Sequence, residues 1–129
     1  MIVDTSALMA VLLGEPDQAD IALKLRLAPI RRISAGTWIE LTVVVTRRAD
    51  PILHADLANL LALVPLEIAP VTVEQALVGE RAYREFGRGS GHPARLNFGD
   101  CFAYALSKAT GEPLLFKGDD FAQTDVVAA

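Results

Sequence analysis

Cysteine and histidine are scarce in this sequence, and their scarcity restricts the chemistry that the chain can perform. Cys101 is the single cysteine, which excludes an internal disulfide and a cysteine-rich zinc site. A catalytic thiol would need a nearby base, and the two histidines are His54 and His92. We therefore expect Cys101 to be a small buried hydrophobic residue rather than a nucleophile.

Long apolar runs are also lacking. No stretch approaches the roughly 20 apolar residues that a helix needs to cross a bilayer. The first residues lack the basic region and the small-residue cleavage site of a signal peptide. These absences predict a cytoplasmic protein that makes no contact with a membrane.

The chain has no excess of basic residues. Its formal net charge is −4 and its pI is about 5.1, which argues against a surface that coats nucleic acid broadly. An acidic pocket for a metal ion would itself contribute negative charge, so a nuclease is not excluded. The arginines occur mostly in pairs and along residues 81–95, in positions typical of solvated helix ends. The length of 129 residues and the 52% hydrophobic fraction predict one compact domain, residues 1–129.

Short apolar segments alternate with segments of helical character. Four strands are predicted, with a short fifth: residues 2–3, 32–34, 66–68, 113–116 and 125–127. Helices are predicted between them, including one from Phe98 to about Thr110 that Asn97 caps; residues 36–48 have mixed helix and strand character. Strands separated by helices form parallel sheets that are covered on both faces.

Acidic residues fall where such a sheet binds ligands. Asp4 follows the first strand directly, and Asp119 and Asp120 follow the fourth strand after two intervening residues. Asp100 lies in the first turn of the helix before that strand, and Glu40 lies in an apolar segment after the second strand. Ligands of parallel sheets gather at the carboxyl ends of the strands, so these carboxylates are candidates for one common site.

Each acid also has an ordinary structural interpretation. Asp4 could cap the next helix, as could Thr5 or Ser6, and Asp100 could interact with a helix dipole. Glu40 could pair with an arginine, and the later aspartates could be turn residues. Several carboxylates directed at one point would repel each other by roughly 4 kcal/mol per pair at about 4 Å, which a divalent cation would offset. An all-oxygen site without cysteine or a histidine cluster favours Mg²⁺ or Mn²⁺.

Four segments together resemble the PIN-domain family and, more narrowly, the VapC toxins of type II toxin–antitoxin systems: "MIVDTSALMAVL", "AGTWIEL", "LNFGDCFAYALS" and "PLLFKGDDFAQTDV". The resemblance covers nearly the whole chain. It implies a three-layer α/β/α sandwich with a central parallel sheet of four to five strands, and a helix at residues 36–48. It also implies an endoribonuclease that depends on Mg²⁺ or Mn²⁺ and cleaves structured RNA such as tRNA or rRNA. A VapB-type antitoxin and a second copy in a homodimer are the implied partners.

The resemblance assigns Asp4, Glu40 and Asp100 to the first three acids of the family site. Many members carry a D-x-D-F run after the last core strand, whereas this chain has Gly-Asp-Asp-Phe at residues 118–121. Counting back from the phenylalanine favours Asp120 as the fourth acid. Counting forward from the strand favours Asp119, which we prefer because it is closer to the strand end. Thr5 and Ser6 occupy the hydroxyl positions beside the first acid, where they would orient a carboxylate or a metal-bound water.

Two alternatives come from other functional classes. A receiver-like signalling domain also gathers acids around Mg²⁺, but it needs an aspartate at the end of a mid-chain strand, and here Ala69 and Pro70 follow that strand. A catalytically inactive PIN-like module would only bind a protein, and the presence of all the acids argues against it. The apolar segments 7–13, 18–28 and 53–63 are expected to pack in the core, and the resemblance adds an antitoxin groove and a dimer contact as further roles.

Overall fold

The computed structural model describes residues 1–129, in which short strands alternate with helices. The elements in chain order are β1 (Ile2–Val3), α1 (Thr5–Leu12), α2 (Gln18–Leu27), β2 (Arg32–Ser34), α3 (Ala35–Arg47), α4 (Pro51–Leu63), β3 (Glu67–Ala69), α5 (Val73–Phe86), α6 (Asp100–Thr110) and β4 (Leu114–Leu115). A single turn of 3₁₀ helix, Phe121–Gln123, follows β4.

The four strands form one parallel sheet in the order β3-β2-β1-β4. The chain moves outwards from β1 to β2 and β3, then returns to place β4 on the other side of β1. The strand order therefore reverses between β1 and β4, where parallel sheets leave a crevice at their carboxyl edge. The fifth strand predicted at residues 125–127 is wrong, because this part of the chain makes only one isolated bridge, between Leu114 and Ala128.

Helices cover both faces of the sheet, which confirms the predicted three-layer α/β/α sandwich. Successive residues of a strand point to opposite faces. Ile2 and Leu114 belong to a buried cluster with residues of α5 and α6, whereas Val3 and Leu115 belong to a second cluster with residues of α1 to α4. No helix is both long enough and apolar enough to cross a membrane.

Residues 36–47 are helical, close to the helix at 36–48 that the family resemblance implied, and α3 places Thr37, Leu41 and Val45 on its buried face. The helix predicted from Phe98 begins two residues later, at Asp100. Asn97 still acts at this helix start: its backbone N–H donates to Asp100 Oδ2 at 2.6 Å, and its Oδ1 accepts from the Asp100 N–H at 3.1 Å. This reciprocal pair leaves Phe98 outside the helix and exposed to solvent.

Candidate metal centre at the carboxyl edge of the sheet

Asp4 lies at the end of β1, and only 3% of its surface is exposed. It caps α1 itself, in place of Thr5 or Ser6: its Oδ2 accepts from the backbone N–H of Ser6 at 2.9 Å and from the Ser6 hydroxyl at 2.6 Å. The other oxygen, Oδ1, is buried and has no hydrogen-bond partner. An unpaired buried carboxylate oxygen is costly, so capping explains one oxygen of Asp4 and leaves the second without a role.

Two hydroxyls beside Asp4 connect the surrounding elements. The Ser6 hydroxyl accepts a hydrogen bond from the backbone N–H of Lys117 at 3.0 Å, which joins the end of β4 to the start of α1. The buried Thr5 hydroxyl donates to Glu40 Oε2 at 2.8 Å. The partner of Glu40 is thus a hydroxyl and not an arginine. The two hydroxyls fix the orientations of two carboxylates at the same edge of the sheet.

Glycines allow α3 and α6 to approach each other closely at this edge. A Cβ atom on Gly99 would lie 2.0 Å from Glu40 Oε1, and a Cβ atom on Gly36 would lie 2.4 Å from the ring of Phe102. Any side chain at Gly99 would therefore displace the Glu40 carboxylate. Sequence reasoning missed both glycines, although the position of Gly99 directly before Asp100 was a usable signal.

The carboxyl groups of Asp4, Glu40 and Asp100 all have raised pKa values. Burial is the main cause that raises the pKa of Asp4 and of Glu40, and it raises the pKa of Asp100 to about 7. Mutual repulsion adds to the effect, because the charge of Asp4 raises the pKa of both Glu40 and Asp100. At neutral pH this metal-free cluster therefore retains protons that isolated carboxyl groups would lose.

The fourth predicted acid falls in the turn after β4, where Gly118 adopts a left-handed conformation with φ of 99°. Asp119 and Asp120 are both exposed. The charge of Asp120, and not that of Asp119, contributes to the raised pKa of Asp4 and of Asp100. The next residue, Phe121, is buried and anchors this end of the turn in the core. Asp120 is therefore the stronger candidate of the two for the fourth acid.

The donor set fits a hard divalent cation. It consists of carboxyl oxygens, which suit Mg²⁺ and Mn²⁺, and it includes the unpaired Asp4 Oδ1. As they stand, no three acidic, histidine or cysteine side chains are arranged to hold an ion. A bound cation would offset the repulsion between these carboxylates, and it would have to draw them closer together than they stand here.

Known proteins are similar to this chain over nearly its whole length. The PIN-domain model matches residues 1–127. Ribonuclease VapC28 of Mycobacterium tuberculosis is 47% identical over 129 residues, which cover all of this chain and 97% of the relative. Ribonuclease VapC42 of the same species is 46% identical over 126 residues, covering 98% of this chain and 96% of the relative. Ribonuclease VapC of Mycolicibacterium smegmatis is 40% identical over 128 residues, covering 99% and 98%.

Solved structures show the same fold. The crystal structure of Mycobacterium tuberculosis VapC20, described as a sarcin-ricin loop cleaving toxin, matches with a TM-score of 0.72 and 19% identity, covering 99% of this chain and 97% of that one. A toxin–antitoxin complex from Klebsiella pneumoniae matches with a TM-score of 0.70 and 21% identity, covering 99% and 95%. Together with the sequence relatives, these matches show that the chain belongs to the PIN-domain family and, within it, to the VapC ribonucleases.

Proposed function

We propose that this chain is a toxin endoribonuclease that hydrolyses RNA phosphodiester bonds at the acidic edge of its sheet, using Mg²⁺ or Mn²⁺. One observation carries the metal requirement: the buried, unpaired Oδ1 of Asp4 lies in a cluster of carboxyl groups whose pKa values are raised by burial and mutual repulsion. Protein groups alone leave this arrangement unfavourable, and a divalent cation would stabilise it. The ribonuclease activity rests on the family of the chain.

We assign Asp4 and Asp100 as the main ligands of the ion, with Glu40 and Asp120 completing the site directly or through water. Asp120 is preferred to Asp119 because, of the two, only Asp120 contributes to the raised pKa of Asp4 and of Asp100. Ser6 holds Asp4, and Thr5 holds Glu40, so both hydroxyls position carboxylates. When bound, the ion would supply a water of lowered pKa and would stabilise charge on the scissile phosphate.

Partners and organisation are also part of the proposal. We take residues 1–129 to act as one domain, because one sheet carries the helices of the whole chain on its two faces. A VapB-type antitoxin would cover exposed apolar side chains of α2 and α4, of which Leu27, Ile52 and Leu63 are 73%, 72% and 82% exposed. A structured RNA such as tRNA or rRNA is the proposed substrate, and the active toxin is proposed to be a homodimer.

A ribonuclease assay tests the catalytic assignment. Wild type, Asp4→Asn and Asp100→Asn are compared on one RNA substrate with Mg²⁺ or Mn²⁺, and with EDTA as the metal-free reference. We expect each variant to lose about 100-fold or more in cleavage rate, because each removes a ligand of the ion. The exposed acid Asp56 on α4 provides the matched control, and Asp56→Asn should cleave normally. Unchanged cleavage by both site variants would contradict the assignment.

The partner surface has a separate test. Leu27→Asp and Leu63→Asp should weaken capture of the co-expressed antitoxin and leave RNA cleavage by the free toxin unchanged. Equal capture by wild type and both variants would remove this surface from the proposal. The mass of the free toxin in sedimentation equilibrium decides between a monomer and the proposed homodimer.

A further inference from the structure

Positive charge is concentrated in one segment of an otherwise acidic chain. Residues 81–98 contain four arginines and one glutamate, a net charge of +3, although the whole chain carries −4 and the remaining residues therefore −7. This segment comprises the end of α5 and the loop that leads to Asp100. A local excess of arginine in the segment that leads to an acidic site is the electrostatic pattern expected of a surface that binds a polyanion.

Phe98 lies at the junction between this segment and the acidic site. It is 77% exposed, although its ring packs edge-on against Phe102 with 5.0 Å between centroids. Its neighbour Gly99 lies against the Glu40 carboxylate, and the Cα atoms of adjacent residues are about 3.8 Å apart. The exposed ring of Phe98 therefore stands at the rim of the carboxylate cluster, where burial in the core does not explain it.

The surface between Phe98 and the arginines runs along α5 and the loop that follows it. Phe98 and Tyr83 line the same surface groove, about 440 Å³, between α5 and α6. The ring of Tyr83 lies close to the backbone of Gly87, because a Cβ atom there would be 2.9 Å from ring carbons. Arg88 follows directly, and its Nε donates to the backbone carbonyl of Arg95 at 3.3 Å. Neither Arg88 nor Arg95 forms a salt bridge with an acid, and both are exposed.

We propose that this surface binds the RNA strand that enters the site: Phe98 stacks on a nucleobase beside the scissile phosphate, and Arg88 and Arg95 bind phosphates farther along the strand. The inference rests on the proposed ribonuclease function and adds the residues that position its substrate. Proteins that bind single-stranded nucleic acid combine aromatic platforms with a positively charged track in this way.

A second copy of the chain is a poorer occupant of the same face. A two-fold contact would place the same patch of both copies together. Two segments of +3 would then face each other, and like charges across an interface are unfavourable. A polyribonucleotide has the opposite charge to the arginines and an apolar base face that matches Phe98.

Binding of a fluorescently labelled single-stranded oligoribonucleotide tests this proposal. Fluorescence anisotropy is measured on the full chain in an Asp4→Asn background, which prevents cleavage. We expect Phe98→Ala to weaken binding by roughly 5- to 100-fold, because one base–aromatic stack is lost, and Phe98→Trp to preserve it. The control is Val127→Ala, at an exposed apolar position on another part of the surface.

The salt dependence of RNA binding tests the proposed phosphate contacts of the arginines. Arg88→Ala and Arg95→Ala should each reduce the slope of log affinity against log salt by about 0.7, the value for one contact to a single-stranded phosphate. Arg47→Ala, at the exposed end of α3, should leave the slope unchanged. A salt slope that is the same in all three variants would overturn the assignment of phosphate contacts.

Three outcomes separate the explanations. Wild-type affinity and cleavage in Phe98→Ala and Arg95→Ala, with loss of cleavage in Asp4→Asn, would overturn this inference and leave the proposed function intact. Normal cleavage by Asp4→Asn would instead overturn the proposed function. A Phe98→Ala variant that dissociates in sedimentation equilibrium while binding RNA normally would assign the face to a contact between copies and would also overturn the inference.

Discussion

Asp4 shows at the scale of one residue why a structural role and a functional role need not compete. One of its oxygens caps α1 through two hydrogen bonds to Ser6. The other oxygen is equally buried and has no partner. A side chain selected only as a helix cap would gain nothing from the second oxygen, because serine and threonine cap helices with a single one. We therefore expect asparagine at position 4 to preserve the cap and to remove the negative charge.

The two aspartates after β4 provide a matched pair. Asp120→Asn should reduce RNA cleavage by about 10-fold or more, because it removes a charge that interacts with Asp4 and Asp100. Asp119→Asn should cleave at a rate close to wild type. Initial rates at saturating Mg²⁺ measure the difference. The opposite result, with Asp119→Asn inactive and Asp120→Asn normal, would contradict this prediction and identify Asp119 as the fourth acid.

Ser6 is expected to act through Asp4 rather than on RNA. Ser6→Ala removes the hydroxyl that donates to Asp4 and accepts from the Lys117 N–H, so Mn²⁺ affinity should fall by about 10-fold. The free energy of unfolding should also fall, by about 1–3 kcal/mol, because the Lys117 N–H loses its partner. Calorimetric titration and urea unfolding measure the two effects. The loop variant Ser90→Ala is the control, and equal Mn²⁺ affinity in Ser6→Ala and wild type would refute this role.

At the scale of elements, the site depends on how closely α3 and α6 approach. β1 and β4 have only two residues each. They position the residues that follow them and contribute no acidic side chain themselves. The carboxylate of Glu40 reaches the site because Gly99, at the start of α6, has no side chain in its way. The packing of α3 against α6 therefore determines the position of the Glu40 carboxylate.

Two glycines at the opposite ends of α6 allow this to be tested. Gly99→Ala should reduce RNA cleavage by about 10-fold or more, because its Cβ would lie 2.0 Å from Glu40 Oε1. Gly111→Ala should cost about 1 kcal/mol of stability, because alanine is strained at its φ of 69°, and should leave cleavage unchanged. Cleavage rates and urea unfolding are measured on both. If Gly99→Ala loses no more activity than Gly111→Ala, the helix contact does not position Glu40.

Local rules predicted the elements well where one interaction decides the structure. Asp50 caps α4 with Pro51 in the first turn, Thr72 caps α5, and Gly111 ends α6 in a left-handed conformation, and each of these features depends on neighbouring residues only. The start of α6 was wrong by two residues, since the reciprocal pair between Asn97 and Asp100 holds the backbone before the first helical turn.

Non-local features were harder to predict. Residues 125–127 have strand character, but they follow a 3₁₀ turn and meet β4 at one bridge only. The choice between Asp119 and Asp120 depends on the path of the turn, in which Gly118 is left-handed, and spacing along the sequence left both residues open. The close contact between Gly99 and the Glu40 carboxylate cannot be predicted until the packing of α3 against α6 is known.

At the scale of the whole molecule, we expect the acidic edge to reduce stability at neutral pH and metal binding to offset this effect. The raised pKa of Asp100, about 7, means that the folded metal-free chain binds a proton that the unfolded chain releases near pH 4. The folded state therefore binds more protons between about pH 4 and about pH 7, and the free energy of unfolding falls as pH rises through this range.

This linkage gives a prediction for the intact protein. The contribution of Asp100 in EDTA should lower stability between about pH 4 and about pH 7, and the decrease should be smaller in Asp100→Asn, which has no proton to lose. Mg²⁺ should stabilise wild type more at the higher pH, because the ion competes with the bound proton. Urea unfolding with and without Mg²⁺ measures both effects. An equal pH dependence in wild type and Asp100→Asn would contradict the role of this carboxyl group.

We propose that carboxylates from the end of β1, from α3, from α6 and from the turn after β4 form one site for a divalent cation. Calorimetric titration of Mn²⁺ into the full chain tests it most directly, with wild type compared with Asp4→Asn, Asp120→Asn and Asp119→Asn. We predict binding by wild type and Asp119→Asn, and affinity at least about 10-fold weaker in the other two variants. Absence of Mn²⁺ binding by wild type, or equal binding by Asp4→Asn, would contradict the claim.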